Sequence, residues 1–173
     1  QVHGGMGFIE ETGADQYMRD ARILPIYEGT NAIQANDFMF RKTIKDNGST
    51  AKSFLDEMVK DCKDSAQMIS MVNLARETLG YILNNKDDYE KLSCISFDYM
   101  MGFGYLIGGW LMHNAKTKAN LKLSSENQNE IFLKSKIVSG NFYNLHILPR
   151  IQSHFQIVIN GAEVIQSAND SYI

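Results

Sequence analysis

Only two prolines, Pro25 and Pro149, interrupt this chain of 173 residues, and the scarcity of helix breakers is the strongest constraint on its fold. Apolar residues recur at helical spacing, and the alternation typical of strands is absent. Two such helical faces comprise Phe54, Leu55, Met58, Val59 and Cys62, and Met71, Val72, Ala75, Leu79 and Ile82. The pattern therefore predicts an all-α chain.

Caps and breakers place further helices. One is predicted over residues 14–22, and another begins after Thr30, whose hydroxyl is a suitable N-cap, and runs to about Lys42. Ser125 and Gln128 have the spacing of a capping box that starts a later helix. The predicted apolar face of that helix comprises Ile131, Phe132, Ile137, Phe142, Leu145 and Leu148. Pro149 should kink it or start a new helix.

The best candidate linker is the polar stretch of residues 45–50, which has Asn47-Gly48 at its centre. Short, unusual motifs crowd the sequence before it, and plain helix-bundle sequence follows it. We therefore expect a first domain to end within residues 1–45, residues 46–50 to form a linker and residues 51–173 to form a helical bundle. Because the chain begins at Gln1 without an initiator Met, we also expect it to start within a domain.

The apolar run from Ile95 to Met112 requires a test for a membrane span, because it contains Gly104-x-x-x-Gly108, a spacing found in packed transmembrane helices. Asp98 lies inside the run and its flanks carry no strong basic asymmetry. A central buried helix is therefore favoured over a membrane span. The two glycines would then let another helix approach closely.

Charge and cysteine content exclude several classes of function. A net charge of −3 gives no basic footprint for nucleic acid. Cys62 and Cys94 lack CxxC spacing, and the four histidines lack the spacing of metal ligands, so we expect neither a disulfide framework nor a metal site. The cysteines fit small buried residues in a reducing compartment, and we expect a cytoplasmic protein.

The tripeptide Glu28-Gly29-Thr30 is the best candidate for chemistry. Proton abstraction needs a carboxylate at a defined point, Gly29 cannot block an approaching ligand, and the first amides after Thr30 are free to bind an anion. Taken alone, the tripeptide leaves a second interpretation open. Glu28 could be an ordinary first-turn carboxylate favoured by the helix dipole.

Three blocks carry more specific information: Gln1-x-x-Gly4-Gly5-x-Gly7-Phe8, then Arg19-Asp20-Ala21-Arg22-Ile23, then Ile26-Tyr27-Glu28-Gly29-Thr30-Asn31-x-Ile33-Gln34. In order and spacing they closely resemble the C-terminal signature of the acyl-CoA dehydrogenases. The resemblance implies an FAD-dependent enzyme that converts acyl-CoA thioesters to trans-2-enoyl-CoA. It is strongest over residues 1–42.

The resemblance also implies roles for single residues. Glu28 would be the catalytic base that takes the α-proton, while the β-hydrogen leaves as hydride to the flavin. Tyr27 and Gly29 would line the acyl-binding slot. The FAD-contacting positions would be Gln1, Gly4, Gly5, Thr30 and Ala32. Many relatives carry Glu or Gln at the position of Ala32, so only a backbone contact is expected there.

Leu145-x-x-Leu148-Pro149-Arg150 and Val158-x-x-Gly161-Ala162 are similar to the extra C-terminal helical domain of a bacterial subfamily that includes 3-methylthiopropionyl-CoA dehydrogenases. Implied partners are the acyl-CoA substrate, an electron-transfer flavoprotein and further copies of the same chain. Two alternatives stay open: an acyl-CoA oxidase, and a helical interaction module that is inactive by itself.

Arg19, Asp20 and Arg22 could bind phosphate, because guanidinium groups recognise it well. An ion-pair cluster on a helix that fixes the loop before Glu28 is the favoured interpretation.

Overall fold

The computed structural model describes residues 1–27, 30–123 and 129–168, and no strand occurs among them. The α-helices are α1 (Ala14–Ala21), α2 (Asn31–Asn36), α3 (Ser49–Asp61), α4 (Ala66–Asn84), α5 (Tyr89–Leu123), α6 (Glu130–Phe142), α7 (Arg150–Asn160) and α8 (Ala162–Gln166). Gly4–Gly7 and Glu10–Thr12 are 3₁₀-helical, and Asp37–Ile44 and Tyr143–Ile147 are π-helical. The predicted all-α class is confirmed.

The chain forms two compact units, residues 1–34 and residues 35–173. The first contains the 3₁₀-helical turns, α1 and the start of α2. The second contains all the remaining elements. Residues 45–48, at the predicted linker, form a turn whose Gly48 is buried at a φ of 71° beside Leu79 and Leu83. The domain boundary at residues 46–50 stays a prediction.

The second unit is organised around α5, a helix of 35 residues and therefore about 50 Å long. Helices α3, α4, α6, α7 and α8 all pack against it. Ile95, Tyr99, Phe103 and Leu106 are buried along it, as expected of a central buried helix. Within the part of the chain that the structure describes, no helix is long and apolar enough to cross a membrane.

Close approach to α5 occurs at Gly108, one of the two predicted glycines, and at two others that were not predicted. An added Cβ at Gly104 would meet nothing, whereas one at Gly108 would overlap the Tyr143 hydroxyl. Gly102 and Gly109 have the Phe155 ring and Leu148 directly against them. These two positions are seven residues apart, about two helical turns, and so lie on one face. The expectation for Gly104 was wrong because that position faces away from the packed helices.

The apolar face predicted for α6 was also largely wrong. Leu148 is buried and Ile137 is half-buried, but Ile131, Phe132, Phe142 and Leu145 are exposed. Instead, α6 is buried at Leu133 and Gly140. An added Cβ at Gly140 would lie 3.2 Å from the Met112 carbonyl oxygen and 3.0 Å from Lys116 Cβ, so this glycine permits close contact with α5.

The sequence also predicted how α6 starts and what happens to the helix at Pro149. Ser125 and Gln128 of the predicted capping box lie outside the described residues. Asn129 precedes α6 and makes no side-chain capping bond. Helix α7 begins directly after Pro149, as one of the two predicted outcomes required.

Candidate functional site

Glu28 and Gly29, the predicted base and its neighbour in the acyl-binding slot, lie outside the described residues. The structure describes their flanks, Tyr27 and Thr30, and the elements that lead to them. The local geometry of the candidate site is therefore built from the turn before Glu28 and the helix after Gly29.

The turn before Glu28 is closed by backbone hydrogen bonds around Pro25. The amides of Ile26 and Tyr27 both donate to the carbonyl oxygen of Ile23, at 2.9 and 3.1 Å. Proline supports such a turn because its ring fixes φ near −65°. The Tyr27 side chain is half exposed.

Thr30 caps the helix that follows. Its Oγ1 accepts a hydrogen bond from the Ile33 amide at 3.4 Å, and its carbonyl accepts one from Gln34 at 3.1 Å. This confirms the predicted N-cap. The amides in the first turn of a helix have no carbonyl partner within it, so they can bind an anionic or polar ligand. Thr30 and Ala32, two predicted FAD-contacting residues, are both exposed.

The Gly-rich turn supplies the other three predicted FAD-contacting residues. The Gly4 amide donates to the Gln1 carbonyl at 3.1 Å, and Gly4 has a φ of 58°, which favours glycine. An added Cβ at Gly4 or Gly5 would meet no atom within 4 Å. The backbone of this turn is therefore open to a ligand, and Gln1 is exposed beside it.

Thr12 holds the Gly-rich turn to the start of α1. Its hydroxyl lies 2.9 Å from the Met6 carbonyl and 2.8 Å from the Ile9 carbonyl, so it can donate to either. It also accepts a hydrogen bond from the Ala14 amide at 3.3 Å. The sequence interpretation missed this contact, because a single threonine carries no motif.

The predicted ion-pair cluster on α1 takes a different form. Arg19 pairs with Asp15, one turn earlier on the same helix. Among the described residues, neither Asp20 nor Arg22 forms a salt bridge with it or with any other group. The pairing is thus helix-borne as expected, with Asp15 in place of Asp20.

The surroundings of these residues are apolar and exposed. No described residue before Ala35 is buried. Large apolar side chains that face solvent there are Val2, Phe8, Tyr17, Met18, Leu24, Ile26 and Ile33. Many exposed large apolar side chains in one short segment suggest that another surface or a ligand covers them. The spacing of the motifs did not reveal this exposure, because the sequence pattern does not show that the segment lacks a surface to cover its apolar side chains.

A metal centre has no support from the described part of the chain. No group of three or more His, Cys, Asp or Glu side chains there could hold a metal ion. Cys62 and Cys94 are both free; Cys62 is buried as expected, and Cys94 is half-buried.

Comparison with known proteins covers almost the whole described chain. Residues 1–42 match a family model described as the acyl-CoA dehydrogenase C-terminal domain, and residues 40–168 match one described as acetyl-CoA dehydrogenase C-terminal like. A 3-methylmercaptopropionyl-CoA dehydrogenase of Ruegeria pomeroyi is 34% identical over 97% of this chain and 31% of its own length.

Two further relatives differ in how much they share. A broad-specificity linear acyl-CoA dehydrogenase of Mycobacterium tuberculosis is 29% identical over 91% of this chain and 29% of its own length. A mitochondrial short-chain specific acyl-CoA dehydrogenase of Rattus norvegicus is 59% identical over 34 residues, which are 20% of this chain and 8% of that protein. The chain spans about a third of the length of the first two relatives.

Proposed function

The chain belongs to the acyl-CoA dehydrogenase family, and from this premise we propose that it supplies the C-terminal part of an FAD-dependent active site with Glu28 as its catalytic base. The proposed reaction removes hydrogen from the α and β carbons of an acyl-CoA thioester and gives trans-2-enoyl-CoA. The proposed acceptor of the electrons is an electron-transfer flavoprotein.

The observation that carries the proposal is the position of the flanks of Glu28. A turn closed on the Ile23 carbonyl ends at Tyr27, and Thr30, two residues after Glu28, caps the helix that begins at Asn31. The turn and the capped helix define where the backbone enters and leaves the Glu28 motif. Defined flanks of this kind support a base that must meet one particular proton.

In this proposal Tyr27, Glu28 and Gly29 position the substrate. Tyr27 and Gly29 line the acyl chain, and the Glu28 amide donates to the thioester carbonyl while its carboxylate takes the α-proton. When bound, the flavin supplies the acceptor for the β-hydrogen, which leaves as hydride. Deprotonation becomes easier because negative charge that builds on the carbonyl oxygen is met by a fixed donor.

The residues present fit one edge of an FAD site. Gly4 and Gly5 offer an open backbone, and Thr30 and Ala32 offer the start of a helix. Because no described residue of this segment is buried, it could not enclose so large a ligand. We therefore propose that FAD contacts Gln1, Gly4, Gly5, Thr30 and Ala32 and is otherwise held by other surfaces. The 173-residue chain alone should not retain FAD through gel filtration, and stoichiometric retention would contradict a shared site.

A chimera provides the test of catalysis. Residues 1–173 replace the matching segment of the Ruegeria pomeroyi relative, and the product is assayed for bound FAD and for anaerobic flavin bleaching by 3-methylmercaptopropionyl-CoA. Glu28→Gln should leave bound FAD and substrate binding nearly unchanged. Bleaching should slow by roughly 100- to 10,000-fold, because the amide keeps the shape of the side chain but cannot accept the proton.

Glu57→Gln on the exposed face of α3 is the matched control and should bleach like the parent chimera. Near-normal bleaching in the Glu28→Gln chimera would place the base elsewhere. Re-oxidation of the bleached flavin by an electron-transfer flavoprotein, rather than by oxygen with release of hydrogen peroxide, separates the proposed dehydrogenase from an oxidase.

The exposed apolar side chains of α6 favour a second, compatible role in assembly. Ile131, Phe132 and Phe142 of this helix, with Leu145 of the π-helical segment that follows it, are exposed apolar side chains suited to burial against another subunit. A homo-oligomer that loses subunits when Ile131 and Phe132 are both replaced by Ser would support this role. An unchanged mass by light scattering would exclude α6 from the interface.

A further inference from the structure

A second site lies in residues 35–173, in a partly open pocket of about 530 Å³ between the π-helical segment Asp37–Ile44, α3 and α5. Phe38, Phe54, Phe103 and Ile107 form its apolar walls. Pockets that bind small molecules commonly have volumes of roughly 300–1,000 Å³ and walls of this kind. All the lining residues belong to the same compact unit.

The walls are held in place before any ligand arrives. The Phe38 ring lies 5.7 Å from Phe103, edge to face, and 5.3 Å from Tyr99 between ring centroids. The buried Tyr99 hydroxyl donates to Thr43 Oγ1 at 3.3 Å, and the Thr43 hydroxyl donates to the Phe38 carbonyl at 3.0 Å. These contacts fix the π-helical segment, a type of helix that often occurs at functional sites.

The four charged residues that line the pocket are all exposed, which places them at its mouth, and three of them are cations. Arg41, Lys42 and Lys45 line it together with one acid, Asp46. Arg41 is paired with Asp37, and Asp46 accepts hydrogen bonds from the Thr50 amide at 3.0 Å and the Thr50 hydroxyl at 2.5 Å. Within the described chain, Lys42 and Lys45 form no salt bridge. They are the two cations that can meet an incoming anion.

We propose that this pocket binds a free medium-chain fatty acid, with its carboxylate between Lys42 and Lys45 and its alkyl chain against Phe38, Phe103 and Ile107. The cationic mouth selects a negative head group, and the apolar walls select a saturated tail. The site involves no residue of the Gly-rich turn or the Glu28 motif. It therefore stands or fails independently of the proposed dehydrogenase chemistry.

Trp110, the sole tryptophan of the chain, is a built-in reporter for this pocket. Its ring packs edge to face against Phe54 at 5.2 Å, and its indole N–H donates to Asp61 at 2.8 Å. Titration of the 173-residue chain with decanoate should give a saturable change in tryptophan fluorescence. Each methylene added from hexanoate to decanoate should tighten binding roughly threefold to fourfold.

Three comparisons make the test specific. Decanol, which has the same tail without the charge, should bind at least roughly tenfold more weakly than decanoate. The double variant Lys42→Gln/Lys45→Gln should weaken decanoate by a similar factor and leave decanol unchanged. The charge-matched control Lys134→Gln/Lys136→Gln on α6 should bind decanoate like the parent chain.

Several results would overturn the proposal. They are the absence of saturation with decanoate, equal binding of decanol, and normal decanoate binding by the Lys42→Gln/Lys45→Gln variant. Tighter binding of decanoyl-CoA than of decanoate would also overturn it, because the ligand would then be a thioester and not a free acid. Ala51→Leu, at a half-buried wall position, places a larger side chain in the pocket and should abolish binding without loss of helical circular dichroism.

Discussion

Residues 1–34 and residues 35–173 differ in whether they bury their apolar side chains. In the first region Phe8 is 90% exposed, and no described residue is buried. In the second, Phe155 is fully buried within a cluster to which α3, α4, α5 and α7 all contribute. The region with the chemical motifs thus has no core of its own, and the region with the core has few motifs.

This contrast shows that the two regions differ in what stabilises them. A helical bundle that buries its own apolar faces can be stable by itself. A segment that exposes most of its apolar side chains needs another surface to cover them, because folding is driven mainly by their burial. Residues 1–34 are therefore expected to need such a surface for catalysis.

Truncation should have the largest effect on this comparison. A chain of residues 30–173 should unfold in urea with a stability within about 1 kcal/mol of the full chain, because none of the described residues that it lacks is buried. A chain of residues 50–173 should lose at least about 3 kcal/mol. It lacks the fully buried Met39, and it leaves the Tyr99 hydroxyl without Thr43.

Equal stability of the two truncated chains would instead support a domain boundary at residues 46–50. It would mean that the π-helical segment is an addition to the bundle rather than a part of its core.

A matched pair of phenylalanines tests the comparison at single positions. Phe155→Ala should destabilise the chain by about 3–5 kcal/mol, because it leaves a cavity between α5 and α7. Phe8→Ala should change the free energy of unfolding by less than about 0.5 kcal/mol, because that ring is exposed. Urea titrations followed by circular dichroism give both values. A large loss from Phe8→Ala would show that residues 1–34 bury this ring in solution.

Much of the fold could be predicted from the sequence where one helix face is clearly apolar. The stripes through Leu55 and Met58 and through Val72 and Leu79 became core, and the run from Ile95 became the central helix. Helix α6 could not be predicted in this way, because its apolar residues surround it on most sides. Its orientation follows from Gly140, whose missing side chain lets it approach α5 closely.

For the candidate site, the sequence identifies the family and the residue types but not their surroundings. The motif around Glu28 predicted an acyl-CoA dehydrogenase, and the family is confirmed. The N-cap at Thr30 also followed from the sequence, because capping depends on local chemistry. Phe8, Met18 and Ile33 are exposed. Whether an apolar side chain is covered depends on residues far away in the sequence, which no local pattern describes.

Two glycines of α5 should show a smaller contrast within the second region. Gly102→Ala places a methyl group against the Phe155 ring, and a net loss of about 1–2 kcal/mol should remain after the gain in helix propensity. Gly104→Ala enters open space on the exposed face and should stabilise the chain by about 0.5–1 kcal/mol. Thermal melts of the two variants should shift in opposite directions. A shared direction would contradict the assignment of faces along α5.

The cysteines allow the comparison to be tested with almost no change in stability. Burial, with smaller contributions from Asp61 and Asp64, raises the pKa of the Cys62 thiol to about 11, so only about a thousandth of it is thiolate at pH 8. The half-buried Cys94 should therefore react with a thiol reagent before Cys62 does, and Cys62 should react fully only in urea. The variant Tyr17→Cys adds a third thiol on the exposed surface of α1, and we expect it to react fastest. Mass spectrometry of samples taken at successive times gives the order of reaction.

Reaction of Cys62 ahead of Cys94 in the native protein would show that the core around α3 opens more readily than the edge of α5. Slow labelling at position 17 would show that Tyr17 is covered in the isolated chain and would contradict the contrast between the two regions.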